Sequence, residues 1–308
     1  MSSRPVETFE AVTNRKALCA ESPVWNDMTN SLCWTDIDGK MLHRFTPATR
    51  ERYEKTMSGR VGCIALQVSG GYIAAMEDEI LSLTPNFDIV HSFGRAGFDP
   101  NLERFNDGKL DRQGKFFWVG SIYLPRDKKS ASIWRLSENG QMDKVITGVT
   151  TTNGIAWSPD GRTMYFADSW HRIIWAVDYD TERGTIANQR EFFRMPPSMG
   201  RPDGATVDSE GFYWCAVFGG SCLLRISPDG VLDRKVLAPT KYPTMPCFGG
   251  DSYGELFLTS FGDVSQIQGL EDDPNSGLLF KAKTKFSGLA EAHMSIPQSP
   301  ETADRRKT

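Results

Sequence analysis

Four oxygen-bearing side chains recur at one phase of this sequence. Glu21, Asn106, Asn153 and Asp203 each stand four positions before an apolar residue, namely Trp25, Leu110, Trp157 and Val207. Carboxylate and amide oxygens suit a hard or borderline divalent cation, and two carboxylates would offset the charge of one such ion. Glycine follows closely in Asn106-Asp107-Gly108, Asn153-Gly154 and Asp203-Gly204, where backbone can come close to a ligand. The same dipeptides are common turn formers, and Pro159-Asp160-Gly161 and Pro228-Asp229-Gly230 read as hairpins only. Taken singly, each motif is a turn before it is a ligand. Spacing alone leaves a metal site and a set of turns both open.

A shared phase requires a repeated scaffold. Helical periodicity is absent, and short β-rich runs alternate with Gly, Asp, Asn and Pro turns. One unit runs Gly154-Ile-Ala-Trp-Ser-Pro-Asp-Gly-Arg-Thr-Met-Tyr-Phe-Ala-Asp-Ser169 and then Arg172-Ile-Ile-Trp-Ala-Val-Asp-Tyr-Asp180. It reads as strand, turn, strand, turn, strand. The same grammar starts at Pro23, Leu110 and Ala205, and in degenerate form at Cys63 and Cys247. Six copies, roughly 40 to 50 residues apart, predict four-stranded blades and an all-β six-bladed β-propeller with a central channel. Runs such as Phe116-Phe-Trp-Val119 and Leu256-Phe-Leu258 are continuously apolar, as strands buried on both faces should be. Residues 1–296 are expected to form one propeller domain, with Glu7–Val12 lending a strand to the last blade. The polar stretch 297–308 is expected to be disordered. In a propeller the innermost strand of each blade lines the channel, so the four oxygen-bearing residues would converge at one mouth.

Composition excludes other classes. The 308 residues carry a formal net charge of −4 with no basic block, which argues against a nucleic-acid partner. No apolar run is long enough to span a membrane. The first residues lack the apolar core of an export signal, and the six cysteines form no C-x-x-C pair, so reduced thiols and a cytoplasmic location are expected. There is no G-x-S-x-G elbow and no H-E-x-x-H. The four histidines share no phase of the repeat. His171 is the one that could reach the channel mouth, with Asp168 and Trp170.

The chain resembles the senescence-marker-protein/gluconolactonase family from about Leu18 to Phe280. The resemblance is carried by Glu21-Ser-Pro-Val-Trp25, Arg104-Phe-Asn-Asp-Gly-Lys109, Thr152-Asn-Gly-Ile-Ala-Trp-Ser-Pro-Asp-Gly161, Pro202-Asp-Gly-Ala-Thr-Val-Asp-Ser-Glu-Gly211 and Pro246-Cys-Phe-Gly-Gly250. It implies hydrolysis of a sugar lactone to the aldonic acid, dependent on one divalent ion (Zn, Mn, Mg, Ca or Fe(II)). It implies Glu21, Asn153 and Asp203 as metal ligands. In the hydrolysis Asp203 is expected to act as general base, or else to orient a metal-bound hydroxide. Arg104 and Asn106 match positions that contact sugar hydroxyls, and in some relatives the position of Asn106 also contacts a metal-bound water. One departure stands out. Some relatives place an acidic substrate-binding residue where this chain has Leu124, so Tyr123 is expected to supply a hydroxyl instead. Two other readings compete: a non-catalytic, metal-stiffened propeller that binds or regulates, and a broader esterase of the six-bladed group.

Overall fold

A computed structural model of the protein describes residues 6, 8–267 and 269–296. It contains six sheets, each contributing four antiparallel strands to a ring. The innermost strands are Ala20–Asn26, Val61–Gln67, Glu103–Leu110, Thr152–Trp157, Arg201–Val207 and Pro243–Gly249. The fourth blade shows why the sequence folds this way. Thr152–Trp157 returns as Thr163–Asp168 through a Pro-Asp-Gly turn in which Gly161 adopts φ 73° and donates its N–H to Ser158 O at 2.9 Å. Only glycine takes that conformation without strain.

The core is divided among the blade interfaces. Six hydrophobic clusters each join two neighbouring blades, and the cluster between the first and last blades closes the circle. The continuously apolar second strands are buried throughout their cores, at Phe117, Trp118, Val119, Leu256, Phe257 and Leu258. Outermost strands such as Glu51–Thr56 are exposed and polar.

The ring is latched from the N-terminal side. Glu10–Ala11 pairs with Phe280 and Lys281 as the outermost strand of the last blade, which removes a free sheet edge. Glu7 and the stretch 297–308 lie outside the described residues. A second latch has no counterpart in the repeat. His293–Met294 pairs in parallel with Leu66 and Gln67 on the channel side of the second blade. The preceding residues cross the mouth opposite the four oxygen-bearing residues, where Glu291 Oε1 accepts from Lys109 Nζ at 2.9 Å. Among the described residues no helix is long and apolar enough to cross a membrane. All six cysteines are free.

Candidate active site at the channel mouth

The innermost strands share an irregularity at the level of the site. Their pairing with the second strand slips between Glu21 and Val24, Phe105 and Gly108, Asn153 and Ala156, and Pro202 and Ala205. A regular strand would send alternate side chains into the blade interfaces. A bulge interrupts that alternation and re-aims side chains, here toward the axis. The second and sixth blades carry the same slip, but Gly62, Thr244 and Met245 occupy it.

The glycines beside the site serve a different purpose from the one expected. A Cβ on Gly154, which has φ 61°, would lie 2.2 Å from Tyr213 Oη of the next blade. One on Gly204 would lie 2.5 Å from Met245 Cβ. These residues make room for the neighbouring blade.

Glu21, Arg104, Asn106, Asn153 and Asp203 all line one open cavity of about 590 Å³. A relay of hydrogen bonds sets the amides. Arg104 Nη1 donates to Asn106 Oδ1 at 2.8 Å and to Phe105 O at 2.8 Å. Asn106 Nδ2 donates to Thr152 O at 3.0 Å and to Asn153 Oδ1 at 2.8 Å. Asn153 Nδ2 donates to Ser169 Oγ at 2.9 Å. Each amide therefore has one orientation, and Asn153 Oδ1 keeps a lone pair for the cavity.

The floor is negatively charged. Glu21 and Asp203 are each 8% exposed. Burial, followed by the charge of Asp203 and then of Asp107, pushes the Glu21 carboxyl well above the ordinary range. Burial and then Asp107 do the same to Asp203, opposed by the Gly204 N–H. Asp107 is buried too. One of its oxygens accepts from Ile155 N–H at 3.1 Å, and Oδ1 has no partner. Arg104 offsets part of the charge at Glu21. Buried carboxylates in this arrangement call for a cation. Among the described residues no three of the His, Cys, Asp and Glu side chains form a metal-ready group. The donor set here is instead two carboxylates and an amide, which fits a hard divalent ion.

The remaining expected residues fall elsewhere. Tyr123 does not reach the cavity. It packs with Trp118, Ala131 and Ile133, with Lys128 Nζ 5.0 Å from its ring centroid. Its neighbour Ile122 lines the cavity instead, because successive side chains of a strand face opposite ways. Leu124 is likewise not in the lining. His171 Nε2 lies 3.1 Å from Thr150 Oγ1, and Asp168 accepts from the N–H groups of Thr150 and Thr151, so both serve a loop. Trp170 does line the cavity.

Sequence reasoning misses Arg60, Arg126 and Arg201, which lie in the same wall, and Asp107. Within Asn106-Asp-Gly, Asp107 is indistinguishable from an ordinary turn residue. Arg201 stands two positions before Asp203, as Arg104 does before Asn106, and could have been found by that match; Arg60 and Arg126 have no such local mark.

Comparison with known proteins places the chain. It is 33% identical over 287 residues to a 6-deoxy-6-sulfogluconolactonase of Pseudomonas putida, covering 92% of this chain and 98% of that protein. It is 32% identical over 278 residues to regucalcin of Oryctolagus cuniculus, covering 89% and 93%. A solved luciferin-regenerating enzyme superposes with a TM-score of 0.87 at 27% identity, over 94% of this chain and 99% of that one. Residues 19–262 match the SMP-30/Gluconolactonase/LRE-like region, and the chain belongs to that family.

Proposed function

We propose that the protein hydrolyses a sugar lactone to its aldonic acid, with one divalent cation held by Glu21, Asn153 and Asp203. The observation that carries this reading is the pair of buried carboxylates, with the oriented Asn153 amide oxygen beside them, at the floor of an open cavity. The similarity to a named lactonase supports the substrate class.

The cation, when bound, supplies Lewis acidity toward the lactone carbonyl and stabilises negative charge developing on its oxygen. The chain's own residues do the rest. Asp203 Oδ accepts a proton from the attacking water as the water oxygen bonds to the carbonyl carbon. The bond from that carbon to the ring oxygen then breaks, and the proton passes from Asp203 to the departing alkoxide. Arg104 commits Nη1 to Phe105 and Asn106, which leaves its other guanidinium nitrogens, in the cavity lining, to contact the sugar hydroxyls. Asn106 has committed both amide hydrogens, so its main part is to hold Asn153 in place.

The test is to strip the protein with chelator and follow proton release from a panel of aldonolactones with Zn²⁺, Mn²⁺, Mg²⁺, Ca²⁺ or Fe²⁺ added singly. Hydrolysis should vanish on stripping and return with at least one ion. A protein that hydrolyses no lactone under any of these conditions is not a lactonase.

A further inference from the structure

Four arginines, Arg60, Arg104, Arg126 and Arg201, line the cavity. Two have evident roles. Arg60 Nε pairs with Asp38 at 2.9 Å, and Arg104 orients Asn106. The other two bracket Trp170. The guanidinium carbon of Arg126 lies 5.8 Å from the indole centroid and that of Arg201 lies 4.3 Å from it. Arg201 Nη1 also donates to Trp170 O at 2.9 Å.

Among the described residues no carboxylate supports either charge. Burial lowers the proton affinity of Arg126. Burial, then Arg172 and Arg126, lower that of Arg201. The arginine pair and the carboxylate floor differ in depth: Trp170 is 39% exposed at the mouth, whereas Glu21 and Asp203 lie below, nearly buried. A guanidinium stacked on an indole is fixed in plane and offers its edge, a geometry suited to two parallel hydrogen bonds to an oxyanion. Two such forks arrive from different blades, Arg126 from the loop after Phe116–Tyr123 and Arg201 from the start of the fifth inner strand. Both guanidiniums contact one indole in one cavity wall, so an anion held at that wall would meet two positive charges.

We infer that Arg126 and Arg201 receive an oxyanion borne by the substrate, so that the preferred lactone carries a sulfonate, phosphate or carboxylate at the end of the sugar remote from its carbonyl. The inference rests on the lactonase reading for its substrate and on the arginine pair for its charge. Placement follows from depth: the proposed cation ligands lie at the floor and the arginine pair at the mouth, so the carbonyl goes to the floor and the anion stays at the mouth.

The experiment compares kcat/KM on glucono-δ-lactone with that on its 6-phospho, 6-deoxy-6-sulfo and glucaric acid counterparts. It uses wild type, Arg126→Met, Arg201→Met and Arg201→Lys. Wild type should favour at least one anionic lactone, mostly through KM, and the preference should shrink at high salt as charges are screened. The leading substrate identifies the anion. Each methionine variant should cut the anionic-to-neutral ratio by about 10- to 100-fold, the scale of one charge-assisted contact. Arg201→Lys, which keeps charge but loses the planar fork, should fall between. Equal rates on neutral and charged lactones, or a ratio unmoved by both methionine variants, would overturn the inference. If wild type hydrolyses no lactone, the lactonase reading fails on its own, and calorimetry then decides this one. Binding of the phosphorylated, sulfonated or dicarboxylate aldonate should exceed that of gluconate and collapse in Arg201→Met. No such difference refutes it.

Discussion

Asn106 Nδ2 donates to Asn153 Oδ1 across 2.8 Å, joining the third and fourth blades at the floor of the cavity. Both residues lie at the bulged level of their inner strands. The bond fixes which atom of Asn153 is oxygen and which is nitrogen, and Arg104 fixes Asn106 in turn. A proposed cation ligand is thus set from two residues away.

Asn106→Ala breaks this relay without removing a proposed ligand. Divalent-cation affinity, measured by calorimetry, should fall about 10- to 100-fold, the usual cost of losing a residue that orients a ligand. Asp203→Asn should lower kcat by about 100-fold or more, as expected for loss of a general base. Full activity in the Asp203 variant would remove that residue from the mechanism.

Stability should depend on pH and on metal together. Glu21 and Asp203 hold their protons to higher pH in the folded chain than in the unfolded one, because of burial and then neighbouring carboxylates. A raised carboxyl pKa favours the folded state fully below about pH 4, the unfolded value, and that contribution is lost as pH rises through the folded values. The metal-free protein should therefore melt lower at about pH 8 than at about pH 6. Cation binding needs deprotonated ligands, so the rise in melting temperature on adding the ion should be larger at the higher pH. Asp203→Asn should flatten the metal-free pH profile and remove most of the rise. Thermal melts with and without chelator read both effects.

Gly154→Ala should cost about 2–4 kcal/mol, combining a left-handed conformation with overpacking. The added carbon would meet Tyr213 Oη at 2.2 Å. Tyr213→Phe also loses the hydroxyl's 2.7 Å bond to Gly154 O, so alone it should destabilise. In the Gly154→Ala background it should cost less than it does alone, because it removes the clash. Urea unfolding of the four proteins in the cycle measures that coupling.

At the opposite mouth, Lys109 and Glu291 form an ion pair whose side chains are only 14% and 15% exposed. Glu291→Ala leaves the ammonium without its partner and should destabilise by about 3–5 kcal/mol, whereas Lys109→Met with Glu291→Leu should recover most of the loss. If the single variant melts as wild type does, the C-terminal segment contributes nothing to holding the ring closed.

Much of this architecture is legible in the sequence, for local reasons. Turn residues such as Pro159-Asp160-Gly161 and apolar runs such as Phe116–Val119 declare themselves within a few positions, and their recurrence gives six blades. Ring geometry then brings one phase of every repeat to one place. That is why Glu21, Asn106, Asn153 and Asp203 can be grouped by their spacing alone and do line one cavity.

What lies outside that phase needs the tertiary structure. Sequence reasoning expects Tyr123 in the cavity, but a shift of one residue along a strand changes the face, and Ile122 occupies the lining. Trp170 is singled out beside His171 in the sequence, and Arg201 precedes Asp203 as Arg104 precedes Asn106, but only the closed ring brings Arg126 and Arg201 to one indole. The crossing of the far mouth by Glu291 and His293 likewise depends on contacts with Lys109 and Leu66, remote in sequence and adjacent only in the folded ring. Local chemistry determined the repeat and the carboxylates. Long-range packing decided which side chains share their cavity, since burial and charge act through space and not along the chain.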